Sequence, residues 1–291
     1  MTVRFGSFAP ALGKGLGWQP DLPDARDYTA TTAEVQGILA KSRPFKAAAK
    51  KAPADVDLRA WCSPIEDQGQ LGSCTANAGV GLIEYFQRRA FKRHIDASRL
   101  FLYKATRDLL GWDGDTGAYL RTTMKAMALF GAPPEANWPY DITQFDVEPG
   151  AFLYAFGQSY RSLKYYRHDP PGTSGADVLD SLKRSLAAGL PSMFGFTVYS
   201  SFPPVGEGTG EIPYPQPGES VLGGHAIVAV GYSDGKKIAG DKGALLIRNS
   251  WGTDWGVQGY GWMPYRYVEK GVADDFWSLV QAEFVATDLF E

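Results

Sequence analysis

The chain is poor in the residues that build metal centres and covalent frameworks: its 291 residues include only two cysteines and three histidines. Cys62 and Cys74 stand twelve positions apart and His94, His168 and His225 are scattered, which matches no metal-ligand spacing. No metal and no cofactor is therefore expected. Long apolar runs are missing too. None approaches transmembrane length, and Met1-Thr2-Val3-Arg4-Phe5 leads into Gly13-Lys14-Gly15-Leu16-Gly17 without an apolar stretch able to engage the secretory machinery. Charge of one sign is also absent. A net charge of −3 with 44% hydrophobic residues describes an ordinary soluble globular protein, with no basic field for nucleic acid and no feature calling for a membrane. There is no internal repeat.

What is present is concentrated in Gln68-Gly69-Gln70-Leu71-Gly72-Ser73-Cys74, which precedes a helical pattern. The thiol falls on the first turn of that helix, where unpaired N–H groups and the helix dipole favour a thiolate. Six residues earlier, the Gln68 amide can return beside the sulfur across the Gly-rich turn and donate to a developing oxyanion. A buried structural cysteine needs neither arrangement, so Cys74 reads as a nucleophile.

Of the histidines, His94 sits among Arg88, Arg89, Lys92 and Arg93 and reads as solvated surface. His168 lies in Tyr165-Tyr166-Arg167-His168-Asp169-Pro170-Pro171 and reads as a loop residue. His225 follows Gly223-Gly224 and opens the apolar run Ala226 to Tyr232, a buried strand whose mouth can face a cleft. The next strand, Ala244 to Arg248, ends at Asn249, whose amide oxygen can fix the imidazole tautomer.

With those residues in order, the chain resembles the papain-like cysteine peptidases. The resemblance is carried by Gln68, Gly72-Ser73-Cys74, Gly224-His225-Ala226 and Asn249-Ser250-Trp251-Gly252, followed by Trp255-Gly256 and Gly259-Tyr260. Gly131-Ala132-Pro133-Pro134-Glu135 with Trp138-Pro139-Tyr140 resembles the connection between them. Cys74 and His225 are 151 positions apart, close to the roughly 130–150 usual for this family. Two positions depart from the pattern. Thr75 follows the nucleophile where an aromatic residue is usual, and Leu71 stands where relatives carry a disulfide-bonded cysteine. With Cys74 reserved for chemistry, Cys62 has no partner and no structural disulfide is expected. A reducing compartment, or export by a route that reads no N-terminal signal, follows as the expectation.

The resemblance implies an α+β, papain-like two-lobe fold, with a helical lobe facing a β-barrel-like lobe and the site in the cleft between them. The domain is expected over 53–291, with the helical lobe at about 70–165 and the β lobe at about 166–291 plus 53–69. Helices are expected from Cys74 to Ala90, from Ser98 to Gly111, from about Ala118 to Gly131 and near Asp177 to Ala188. Strands are expected over Met193–Val198, His225–Tyr232, Ala244–Asn249 and Gly259–Met263.

The implied activity is a cysteine endopeptidase acting on peptides or proteins through a thioester acyl-enzyme. A ligase or transamidase with the same triad is the alternative, and a non-catalytic peptide-binding protein the third reading. Cys74 and His225 are expected as a thiolate–imidazolium pair, the family's His-paired thiol having a pKa of about 3–4. Gln68 and the Cys74 N–H would form the oxyanion hole, Asn249 would orient the ring, and Trp251 would shield that hydrogen bond. Trp255 reads either as part of the leaving-group side or as core, Gly117 as pairing with the substrate backbone or as helix entry, and Gly224 as presenting a carbonyl to the substrate or as a turn. Trp277 would narrow the main specificity pocket, and the Asp274–Asp275 pair would draw a basic side chain there.

Residues 1–52 read as an appendage. Trp18-Gln19-Pro20-Asp21-Leu22-Pro23-Asp24 is extended by its prolines, Thr32 to Leu39 suits a short helix, and Lys41 to Lys51 is basic and alanine-rich. The expectation is a pro-segment lying in or near the cleft. To remain uncut there, it must run with reversed polarity or pass beside Cys74.

Overall fold

The computed structural model describes residues 5–41, 46, 52–160, 162–206 and 208–282. Most of the basic stretch from Lys41 to Lys51 lies outside the described residues. The chain begins with two short strands, β1 (Phe8–Ala9) and β2 (Lys14–Gly15), and a helix, α1 (Ala33–Lys41). After β3 (Asp55–Asp57) come the helices α2 (Cys74–Phe91), α3 (Arg99–Leu110), α4 (Leu120–Phe130) and α5 (Ala151–Gly157). The remainder comprises β4 (Ser162–Arg167), α6 (Gly175–Ala187), β5 (Ser192–Tyr199), β6 (Val221–Ile238), β7 (Asp241–Arg248), β8 (Tyr260–Pro264), α7 (Arg266–Glu269) and β9 (Ala273–Ala282).

Local chemistry sets the helix ends. The Ser98 hydroxyl accepts from the Phe101 N–H at the start of α3, and Ser174 does the same for Asp177 at the start of α6. Gly111 closes α3 in the left-handed conformation that glycine adopts without strain. These helix limits agree with the sequence expectation to within about two residues, the usual uncertainty of helix ends.

Strands β4-β9-β5-β6-β7-β8 form one antiparallel sheet in that order, with β3 added on β6. Because side chains alternate along a strand, each strand feeds two cores. Val228 and Val230 of β6, with Leu246 of β7 and Met193 of β5, meet the helical side, including Leu82, Leu102 and Met124. Ile227 and Ala229, with Phe194, Phe196, Leu245 and Ile247, meet Leu182 and Leu186 of α6. A strand buried on both faces reads as an unbroken apolar run, which is why Ala226 to Tyr232 carried no alternation.

Three expectations change. Strand β6 is 18 residues long, continuing through a polar hairpin arm to Ile238. The stretch Asp274 to Ser278 is part of strand β9, between β4 and β5. His168 is a buried residue: Nε2 meets Ser278 Oγ and Nδ1 meets Ser181 Oγ, both at 2.9 Å. The two prolines that follow it gave the appearance of a surface turn, but Tyr166 and His168 alternate inward toward α6, where Tyr166 bonds Ser185. Among the described residues, no helix is long and apolar enough to cross a membrane.

Candidate active site

Cys74 begins α2 and is fully buried. The turn ahead of it is held from outside. Asp115 accepts the Gly72 N–H at 3.0 Å and the Tyr103 hydroxyl at 2.6 Å. Tyr140 gives its proton to the Gln68 carbonyl at 3.0 Å, so Ser73 Oγ, 2.6 Å away, donates to Tyr140 and accepts from Asn77 Nδ2 at 3.1 Å. Thr75, where relatives carry an aromatic residue, is buried with its hydroxyl unpartnered.

His225 lies opposite Phe196 on β5 and is fully buried. Its Nε2 is 2.8 Å from Asn249 Oδ1, which also accepts the Ser250 N–H at 2.8 Å. An oxygen acceptor at Nε2 places the ring proton there and leaves Nδ1 as a lone pair, which has no hydrogen-bond partner among the described residues. Backbone groups of Ala226, Thr75 and Trp18 act on the Cys74 sulfur to lower its pKa, against the larger effect of burial. Trp251 covers the imidazole, its ring centroid 4.7 Å away, and is itself met edge-on by Phe202.

The Gln68 amide is set from the β lobe. Ser250 Oγ donates to Gln68 Oε1 at 2.6 Å, and the Gln68 N–H donates to the Ser250 carbonyl at 2.9 Å. Gln68 Nε2 then donates to the Leu71 carbonyl at 2.9 Å and to that of Gly15 at 3.0 Å. Gln68 Nε2 thus already holds two carbonyls, and that of Gly15 belongs to the N-terminal segment.

That segment occupies the cleft by its backbone. Gly15 N–H bonds the Gly69 carbonyl at 2.9 Å, while the N–H groups of Gly17 and Trp18 both bond the Gly224 carbonyl, at 2.8 and 3.0 Å. Ala118 N–H bonds the Gly17 carbonyl at 2.8 Å and the Ala118 carbonyl takes the Gln19 N–H at 3.1 Å, a parallel bridge centred on Trp18. The approach is too close for side chains. A Cβ at Gly17 would overlap the Gly72 backbone, and one at Gly117 would overlap the Gly17 carbonyl.

The Trp18 side chain fills a pocket whose floor is Asp275. The indole lies where a Cβ at Gly195 would be, and its Nε1 donates to Asp275 Oδ2 at 3.2 Å. Asp275 Oδ1 accepts Trp277 Nε1 at 2.7 Å. A register shift in β9 and a φ of 63° turn this carboxylate inward. Burial raises its pKa to about 6, against the pull of Arg167 3.6 Å away.

Two details change, at Asp274 and Trp255. The Gly117 N–H goes to the Tyr103 hydroxyl at 3.0 Å, and it is Ala118 that pairs with the N-terminal segment, with Gly117 supplying clearance. Only Asp275 of the acidic pair faces the pocket, since Asp274 is exposed on the alternate face. Trp255 is fully buried, stacked on Phe202 at 5.7 Å with Nε1 on the Pro203 carbonyl, because the loop after β5 folds over it. It offers no cleft surface. Burial pushes the Cys74 thiol up to about 12 and His225 down to about 4, which disfavours the expected ion pair while the segment is in place.

The sequence reading missed Ser250, Asp115, Ala118 and Gly195. Ser250 and Asp115, the latter two residues before Gly117, stood inside recognised motifs without a role of their own, and Ala118 and Gly195 have no local signature. The spacing Gly15-x-Gly17-Trp18 was a usable signal, because glycines two apart leave one face of an extended chain bare.

The family model described as papain family cysteine protease matches residues 52–278. The chain belongs to that family. Among relatives, a peptidase C1-like protein of Acanthamoeba polyphaga mimivirus is 34% identical over 280 residues, covering 91% of this chain and 86% of its own. Cathepsin K of Gallus gallus is 32% identical over 72% of this chain and 58% of its own. Among solved structures, xylellain, a cysteine protease from Xylella fastidiosa, superposes with a TM-score of 0.69 at 34% identity, covering 94% of this chain and 97% of that one. Digestive procathepsin L 3 of Tenebrio molitor shares the fold at 20% identity with a TM-score of 0.61. This papain-family chain is accordingly a hydrolase of peptide bonds on the α+β two-lobe fold.

Proposed function

We propose that the protein is a cysteine endopeptidase restrained by its own residues 5–19. The observation that carries this reading is the Gly15 carbonyl resting on the Gln68 amide while Trp18 fills the pocket above Asp275. The segment uses the groups a substrate needs, and its parallel pairing with Ala118 means that an antiparallel substrate on the same strand runs the other way. That reversal is our account of why the segment is not cut.

Once the segment leaves, the sulfur regains solvent and the desolvation that keeps both partners neutral is relieved. Proton transfer from Cys74 to His225 Nδ1 then gives a thiolate and an imidazolium held by Asn249. The thiolate adds to a peptide carbonyl, and the oxyanion is held by Gln68 Nε2 and the Cys74 N–H. His225 protonates the departing amine, leaving a thioester at Cys74. It then takes a proton from the water that releases the acid.

Asp275 supports a substrate class. Without the Trp18 indole it is a buried carboxylate short of one donor, which costs about 1–3 kcal/mol or more if unmet. Side chains ending in N–H, namely arginine, lysine or tryptophan, meet that need. An epoxide or vinyl-sulfone probe tests the whole reading. Labelling should be confined to Cys74, slow in the full chain and faster in Trp18→Ala. Equal labelling rates in the two proteins, or labelling at Cys62, would remove it.

A further inference from the structure

Two separate pieces of the cleft meet on one carboxylate. The turn from Gln68 to Cys74 carries the amide and the sulfur. Further along the chain, Gly114 to Ala118 carries the rung on which the N-terminal segment pairs. Asp115 joins them. Its Oδ1 accepts the Gly72 N–H at 3.0 Å and the Tyr103 hydroxyl at 2.6 Å, and its Oδ2 stands 3.2 Å from the same Gly72 nitrogen.

The tie continues into α3. The Tyr103 oxygen accepts the Gly117 N–H at 3.0 Å, next to the rung. Tyr103 and Arg107 are one turn apart on α3 and so reach over the same loop. Arg107 donates to the Gly114 carbonyl at 2.5 Å and to Asp146 at 2.6 Å, with its guanidinium 4.4 Å from the Tyr103 ring centre. Neither side chain has exposed surface. A continuous set of bonds therefore runs from the helix to the rung and on to the turn that holds Gln68.

The neighbouring residues suit this arrangement. A Cβ at Gly72 would come within 2.8 Å of Asp115 Oδ1, so glycine lets the carboxylate reach the backbone. Leu71, one residue before, stands where relatives carry a disulfide-bonded cysteine, and both cysteines of this chain are free. The charge of Asp115 offers the nucleophile nothing, because it acts on the Cys74 thiol in the direction that opposes a thiolate. Its contribution to the site is then geometric.

We propose that Asp115 is a positioning residue: with Tyr103 it forms a non-covalent staple that fixes the oxyanion turn against the Ala118 rung, so that the carbonyl of a peptide paired there arrives on the Gln68 amide and the Cys74 N–H. This rests on the reaction proposed above.

The test uses the full-length protein in a Trp18→Ala background, where the cleft is open, with Asp115→Ala, Asp115→Asn or Tyr103→Phe added. Three probes are compared: a fluorogenic peptide, a peptidyl aldehyde whose adduct with Cys74 draws on the oxyanion hole, and iodoacetamide, which alkylates the thiol without it. Asp115→Ala should lose roughly 10–100-fold in kcat/KM and in aldehyde affinity, the range for a lost hydrogen bond to a charged group, yet alkylate no more slowly than its parent. Asp115→Asn keeps an oxygen at the Oδ1 position, where Gly72 and Tyr103 both bond, and should recover to within about threefold of the parent. Tyr103→Phe spares the Gly72 bond and releases Gly117, so it should raise KM more than it lowers kcat. Parental constants in Asp115→Ala or in Tyr103→Phe would overturn the proposal. So would an Asp115→Asn as impaired as Asp115→Ala, or alkylation that slows in step with kcat/KM, which marks a general loosening of the site. If the Trp18→Ala parent neither cleaves the peptide nor binds the aldehyde, the reaction reading is at fault, and deuterium exchange decides on the staple alone. The Gly72 amide should then exchange faster in Asp115→Ala than in the parent, and equal exchange refutes it.

Discussion

The amide nitrogen of Gln68 donates to the carbonyl of Gly15 at 3.0 Å, across 53 residues of sequence. One side chain thus both fastens the N-terminal loop and supplies the oxyanion donor of the proposed reaction, so its removal has two opposed effects. In the intact chain Gln68→Ala should loosen the loop. In a Trp18→Ala background, where the cleft is open, it should lower acylation by roughly 10²–10³, the usual loss for one such donor. Single-turnover kinetics in the two backgrounds separate the effects. Ser250→Ala frees the Gln68 amide without deleting it and should cost about fivefold, equivalent to roughly 1 kcal/mol for one hydrogen bond.

Both cysteines are free and buried, and Cys74 has no exposed surface at all. Mass spectrometry of the denatured, unreduced protein should find two alkylatable thiols. Cys74→Ala should abolish peptide cleavage while leaving the thermal midpoint nearly unchanged, and Cys62→Ser should keep most activity. Residual turnover by Cys74→Ala above background would rule out the thioester route.

The pocket floor offers a measurable selectivity. Asp275→Asn keeps the shape but removes the charge, and a hydrogen bond to a charged group is worth about 1.5–3 kcal/mol. Relative to a leucine-bearing peptide, kcat/KM for an arginine-bearing one should fall by about 10–100-fold. A profile unchanged across a peptide library would show that Asp275 faces only Trp277 and Trp18.

His168 predicts an acid limb of stability. Ser278 Oγ gives its proton to the Pro191 carbonyl at 2.9 Å, so it accepts from His168 Nε2, and Nδ1 accepts from Ser181. Burial, with Arg184 nearby, lowers the His168 pKa to about 3. The unfolded chain, with a histidine pKa of about 6.5, therefore binds this proton first. Its contribution is intact above about pH 6.5, declines as pH falls, and is lost by about pH 3. Urea midpoints at pH 7 and pH 5 should fall further for the wild type than for His168→Gln, which has no proton to gain. Parallel declines would place the acid sensitivity elsewhere.

The helices of the fold were legible because their signals are local: Ser98 and Ser174 cap, Gly111 stops, and the apolar stripe of α2 repeats every turn. Gln68, Cys74, His225 and Asn249 were legible as a set because each carries its own local punctuation, and the structure bonds His225 to Asn249 and Gln68 to the neighbouring Ser250. Strands β4 and β9 were not, since Tyr165-Tyr166-Arg167 and Asp274-Asp275-Phe276 mix charge and aromatics and are strands through tertiary pairing, β9 lying between β4 and β5. Burial, which opposes ionisation of both Cys74 and His225 in this closed state, has no signature in the local motifs either.

Strand β6 carries His225 near one end and is bonded on its flanks by β5, β7 and β3. Its amide protons should therefore be among the last to exchange with deuterium, released only when the whole sheet opens. The loop of residues 5–19, by contrast, holds to the cleft through a handful of bonds and one indole, and its amides should exchange through a local opening. The two rates describe a molecule that can uncover its chemistry many times over without disturbing the frame that aims it.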